Sequence, residues 1–128
     1  MAGLSKVESY LMDLNVEYQE ISEKTYFIND AERGLPGIVV SIDEPIVIIS
    51  AKVMPMPAKV DPELYRELLV LNASAITHGA YAIEGDDVIL LDSLEYETMD
   101  KGEFEASIDS IGMALAEHYS ILGKYRNQ

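Results

Sequence analysis

Asp-Lys-Gly-Glu-Phe-Glu-Ala-Ser-Ile-Asp-Ser-Ile-Gly-Met-Ala-Leu-Ala-Glu-His-Tyr-Ser-Ile-Leu, residues 100–122, is the stretch on which the fold turns. Phe104, Ile108, Ile111, Leu115 and Leu122 recur at steps of three, four and seven, which sets them along one side of an α-helix. Asp100 followed by Glu103 has the form of a capping box, each side chain satisfying a free N–H at the helix start. Gly123 supplies a stop, and Lys124 and Arg126 put positive charge where the helix dipole is negative. A helix with one apolar side needs a sheet or another helix to cover. Residues 61–75 form a shorter companion. Asp61-Pro62-Glu63 gives a cap, a proline in the first turn and an acid beside it. Leu64, Leu68, Leu71 and Ala75 run along one side, and Tyr65 and Leu69 widen the stripe.

The sheet is expected from the segments between and before these helices. Residues 5–14 read as a first helix, with Ser5 and Glu8 in capping-box spacing and Val7, Tyr10, Leu11 and Leu14 on one side. Residues 16–21 and 25–29 read as two strands around a turn at Ser22-Glu23-Lys24. The polar run 29–37 reads as a loop. Residues 37–42 and 46–53 carry the strongest strand signals, joined through Asp43-Glu44-Pro45. Ile46-Val47-Ile48-Ile49 is apolar on both faces, as suits a central strand covered on two sides. Met54-Pro55-Met56-Pro57 is expected to leave the ladder, because proline has no N–H to donate. His78-Gly79 breaks the second helix pattern. Residues 80–84 and 88–92 then make a hairpin around Gly85-Asp86-Asp87, with a further extended piece near 94–97. The pattern predicts an α+β fold with an antiparallel sheet packed by helices on one side.

Composition narrows the function. With 128 residues, 14.2 kDa and 48% hydrophobic side chains, the chain reads as one domain, 1–128, with a real core. It has no cysteine, so disulfides, thiolate metal sites and cysteine nucleophiles are absent. The amino-terminal pattern is amphipathic rather than continuously apolar, and a cytoplasmic location is the expectation. Nine basic residues against 23 acidic ones give a net charge of −14, which repels nucleic acid and anionic lipid. Glu84, Asp86, Asp87, Asp92, Glu95, Glu97, Asp100, Glu103 and Glu105 are relieved only by Lys101. This surface is either a solvated face or one that attracts a basic partner segment.

No catalytic constellation emerges. His78 and His118 fall in different elements, neither at metal-ligand spacing, and His118 reads as a packed or rim residue of the last helix. The acids around Asp86, Asp87 and Asp92 lack the ligand order of a calcium loop. The glycines form no phosphate-binding pattern, and the serines sit in no nucleophile elbow. The expectation is a non-enzyme without metal, cofactor or small-molecule substrate. What remains is apolar surface: Val39, Val47, Ile49, Met54 and Met56 exceed what one helix layer needs. They complete the core or a homodimer contact, or they form a strip that receives an extended segment of another protein.

The layout resembles the type III secretion chaperone-like fold, which includes the secretion chaperones and the YbjN-like proteins. Glu67-Leu68-Leu69-Val70-Leu71-Asn72 is similar to the family's leucine-rich second helix. Ala80-Tyr81-Ala82-Ile83-Glu84 and Val88-Ile89-Leu90-Leu91 are similar to the two strands after it, and Phe104 with the following helix completes the match. The resemblance implies the order α-β-β-β-α-β-β(-β)-α and a homodimer that binds an unfolded portion of a client. It places client contacts at Leu11, Val39 and Ile49 and the dimer contact at Tyr65 and Leu69; Met54 and Met56 are partner-binding candidates from their apolar character alone, with no role implied by the family. The YbjN-like branch implies the alternative, a regulatory or sensory-transduction protein that binds a folded partner.

Overall fold

A computed structural model describes residues 4–59 and 61–126. The element order is α1 (Lys6–Leu14), β1 (Tyr18–Ser22), β2 (Thr25–Asp30), a 3-10 turn (Ala31–Arg33), β3 (Leu35–Asp43), β4 (Ile46–Pro55), α2 (Pro62–Ser74), β5 (Ala80–Glu84), β6 (Asp87–Glu95), α3 (Lys101–Glu117) and α4 (Tyr119–Gly123). The six strands form one antiparallel sheet in the order β1-β2-β3-β4-β6-β5. Four strands precede α2 and two follow it.

Alternation along the strands shows which face is covered. Ile38, Val40 and Ile42 on β3 lie opposite Ala51, Ile49 and Val47 on β4, and all six are buried. These side chains point toward α3, which runs across β3, β4 and β6. Phe104, Ile108 and Ile111 are each 0–1% exposed beneath it, worth about 1.5–3 kcal/mol apiece on burial. The capping box at Asp100 and Glu103 is present in both directions, at 2.7 and 3.1 Å. On the opposite face, Thr25, Phe27, Val39, Ser41, Ile48 and Ser50 are half-buried, and Leu91 and Ser93 are exposed. The central strands are therefore covered by helices on one side, as expected, while the other side is only half-buried.

Several local expectations are corrected. The long helix breaks at His118, so that α3 and α4 are separate. The break is slight, since His118 still donates its N–H to Ala114 and accepts from Leu122, and its side chain is buried and hydrogen-bonded to Tyr81. Residues 29–37 are no open loop, because β2 runs to Asp30, a 3-10 turn follows and β3 begins at Leu35. Met54 and Pro55 stay in β4, paired with Val88 and Asp87 after a bulge. There β4 has β6 alone as its partner, so the missing N–H of Pro55 leaves no ladder bond broken on a second side. Leu94 and Glu95 end β6 and do not start another strand. At α1 the capping box is one-sided: Ser5 accepts from the Glu8 N–H, while the Glu8 carboxylate accepts the Tyr18 hydroxyl at 2.9 Å.

At Gly112, α3 packs closely against the backbone at the start of β3. A Cβ built there would lie 2.5 Å from the Gly34 carbonyl oxygen and 3.0 Å from Leu35 Cδ2. Alanine normally favours a helix over glycine by about 1 kcal/mol, but here it would push α3 off the sheet. Gly112→Ala is expected to lower stability by about 1–3 kcal/mol. Gly102→Ala on the same helix, whose nearest neighbour is the Asp100 side chain at 3.4 Å, should be neutral or stabilising. Urea denaturation midpoints of the two variants check the contrast.

Candidate functional site

The two edges of the sheet differ. At β5, α2 lies alongside the outer strand, and Asn72 supplies both halves of a peptide pairing to one residue. Its Oδ1 accepts from the Tyr81 N–H at 2.6 Å, and its Nδ2 donates to the Tyr81 carbonyl at 3.2 Å. This side chain stands where the next strand would be. At β1 no such cap exists among the described residues. Glu17 turns inward, its carbonyl accepting from Asn29 N–H and its N–H donating to Asp30. By alternation, the backbone groups of Tyr18 and Glu20 point outward, away from β2. An outward row of N–H and C=O groups is a template for another strand.

Next to this edge lies the helix-free face of the sheet, where Phe27 pairs with Val39 and Val39 with Ser50. A groove of about 850 Å³ opens at one end of the sheet, between β2–β4 and the α3–α4 junction. Phe27, Val53, Leu115 and Tyr119 supply its apolar walls, and Tyr81, His118 and Arg126 supply polar groups. Tyr81 Oη and His118 Nδ1 share a hydrogen bond of 2.7 Å, with both residues buried. The Arg126 guanidinium sits 4.2 Å above the Tyr119 ring and donates to the Tyr119 carbonyl.

The expected client strip is not one surface. Leu11 and Ile49 are fully buried and Met54 is 2% exposed, all three in the core beneath the helices. Val39 is half-buried on the helix-free face. Met56 lines a different hollow, of about 580 Å³, together with Pro57, Tyr65 and Ile83. Tyr65 and Leu69 do stand out from α2, at 38% and 68% exposed. Phe27, Asn72, Tyr119 and Arg126 carry no site role in the reading of the sequence. Phe27 could have been found, since it shares the parity of Val39 once the β2–β3 register is known. Asn72 could not, because its partner is backbone brought close only by the fold.

Among the described residues no cluster of three or more His, Asp or Glu side chains is placed to hold a metal, and no helix is long and apolar enough to cross a membrane. A six-stranded antiparallel sheet with helices on one face and a leucine-rich helix capping its far edge defines the type III secretion chaperone-like fold. The chain belongs to the CesT_Tir_1 family, which it matches over residues 2–128.

Solved structures are similar in the same way. One is a chain of the heterodimeric ExoU–SpcU complex from the type III secretion system of Pseudomonas aeruginosa. It has a TM-score of 0.72 at 14% identity, covering 90% of this chain and 96% of that one. YbjN from E. coli gives 0.68 at 19%, over 94% and 93%. A chain of the HopA1–SchA chaperone–effector complex gives 0.66 at 8%, over 90% and 91%. At these identities the likeness is one of fold. No curated protein matches the chain by sequence.

The groove has one group with a readable acid–base signature. Burial pushes the Tyr81 hydroxyl up to about 12, against the opposing pull of Arg126. Tyr18 is also pushed up to about 12, by burial and then by its hydrogen bond to the Glu8 carboxylate. A folded value above the ordinary 10.0 means that the folded chain holds the phenolic proton more tightly than the unfolded one. This stabilisation is complete below about pH 10 and is lost as pH rises toward 12. For Tyr81 the loss amounts to roughly 2–3 kcal/mol. Urea unfolding at pH 9 to 12 should show the decline, and Tyr81→Phe should flatten it while lowering stability at neutral pH.

Proposed function

We propose that this chain is a non-enzymatic, cytoplasmic binding module that holds an extended segment of a client protein and works as a homodimer. The observation that carries the reading is the asymmetry of the sheet edges. Asn72 closes β5, whereas β1 presents outward backbone groups beside the half-buried apolar side chains of the helix-free face. A client segment added at β1 gains backbone hydrogen bonds, and its alternate side chains can lie toward Phe27 and Val39. The chaperone–effector complexes among the similar structures support a client of this kind. The net charge of −14 adds attraction for a basic segment and speeds its encounter.

Tyr65, Leu69 and Met56 belong to a different surface, the outer side of α2 with the hollow beside it. This is the surface that we assign to the second subunit. The likeness to YbjN favours a second reading, in which a folded regulator occupies the same faces. A complex that survives deletion of the partner's disordered segments would select that reading.

Two substitutions separate the surfaces. Glu20→Pro removes an outward N–H and leaves the inward ladder of β1 intact, since proline is tolerated on an edge strand with that orientation. It should keep the melting temperature within a few degrees and abolish co-purification of the client from the native host. Leu69→Asp should give a monomer by light scattering with an unchanged circular dichroism spectrum, because the side chain is already 68% exposed. Retained client capture by Glu20→Pro would overturn the edge-pairing reading.

A further inference from the structure

The β3–β4 ladder begins at Ile38 and Ala51, although β3 starts at Leu35 and β4 runs on to Pro55. Over residues 35–37 and 52–55 the two strands part. Residues 35–37 stay toward β2, while 52–55 follow β6 through a bulge. Gly37, at φ 63°, makes the departure, and a Cβ there would meet nothing within 4 Å. The gap between the strands is the mouth of the 850 Å³ groove, and Gly112, Leu115 and Tyr119 line it from the helix side. The groove therefore has strand backbone flanking it and apolar side chains within, which suits an extended peptide.

Its charge is opposite to that of the molecule. The charged residues lining it are Lys52 and Arg126, with no carboxylate among the described residues, in a chain of 23 acids and nine bases. Acids line the other hollows: Glu44, Glu95 and Glu97 in one, Asp86 in the hollow beside Met56. Lys52 is shared with Asp87 at 3.3 Å. No carboxylate among the described residues pairs with Arg126, whose ordered contacts are the ring and carbonyl of Tyr119. A guanidinium held half-buried against an aromatic ring is well placed for a carboxylate.

We propose that the gap between β3 and β4 is a seat for an extended client segment in which a large apolar side chain stands next to an aspartate or glutamate. The apolar side chain lies among Phe27, Val53, Leu115 and Tyr119, and the carboxylate meets Arg126 with Lys52 at the rim. The proposal rests on the client-binding reading and adds a sequence preference to it. An overall basic segment is drawn to the acidic surface, while the seat selects for an acid at one position.

The test uses the full chain and two dye-labelled peptides with Gly-Ser flanks, one carrying Leu-Phe-Glu and the other Leu-Phe-Lys. Fluorescence anisotropy should show the Glu peptide binding about tenfold more tightly, with amide shifts at Gly37, Val53 and Gly112. Arg126→Glu should reverse the preference without changing the melting temperature, and Arg126→Lys should retain it. Equal binding of the two peptides overturns the seat, as do shifts confined to β1. In either case a client retained by Arg126→Glu and lost by Glu20→Pro leaves the client-binding reading intact. Purification from the native host without any client, alongside Glu-peptide binding at the gap, overturns that reading and keeps the peptide site.

Discussion

The packing of α3 against the middle of the sheet is the constraint on which the rest depends. Phe104, Ile108 and Ile111 close over Val40, Val47 and Ile49, and the absence of a side chain at Gly112 allows the helix to reach the backbone at Gly34. With α3 fixed, its amino-terminal half leaves room for α1, tied down through Tyr10 to the Met99 carbonyl and through Lys6 to the carbonyls of Tyr96 and Glu97. Its carboxy-terminal half delivers His118 to Tyr81. The helix-free face is the complement of the same arrangement: one helix layer is enough to build the core.

The α3 contact also fixes the geometry of the groove. Tyr81 is held from three directions: by β6 in the ladder, by Asn72 at its backbone and by His118 at its hydroxyl. Lys124 of the chain after α4 pairs with Glu67 of α2 at 3.3 Å. The wall formed by α4 is thus coupled to the helix whose outer side is assigned to a second subunit.

Much of this was legible in the sequence where local chemistry and burial agree. Asp100 with Glu103, and Asp61 with Pro62, announce helix starts that the structure keeps, because caps are satisfied within one turn. The strand signals of residues 37–42 and 46–53, joined through Asp43-Glu44-Pro45, announced the central hairpin. Reading failed where the decisive partner is distant in sequence. His118 sits on a helical pattern, and nothing nearby says that its ring will be buried against the Tyr81 hydroxyl. Pro55 looks like the end of a strand unless it is known that β3 has already left. Ile49 and Met54 are apolar in a strand with apolar residues on both faces, and only the side on which α3 lands decides that they are core rather than surface. Phe27, which is on the helix-free face, was hidden for the same reason.

The pairing of Asn72 with Tyr81 bears on how copies of this chain can accumulate. A sheet with two bare edges can stack head to tail without limit, each newcomer offering a fresh edge to the next. Here the amide of Asn72 occupies the outward N–H and C=O of Tyr81, so β5 offers a newcomer fewer free groups than β1. The two ends of the sheet are thereby made unequal by a single asparagine, and a copy arriving at β5 meets a side chain where one arriving at β1 meets open backbone.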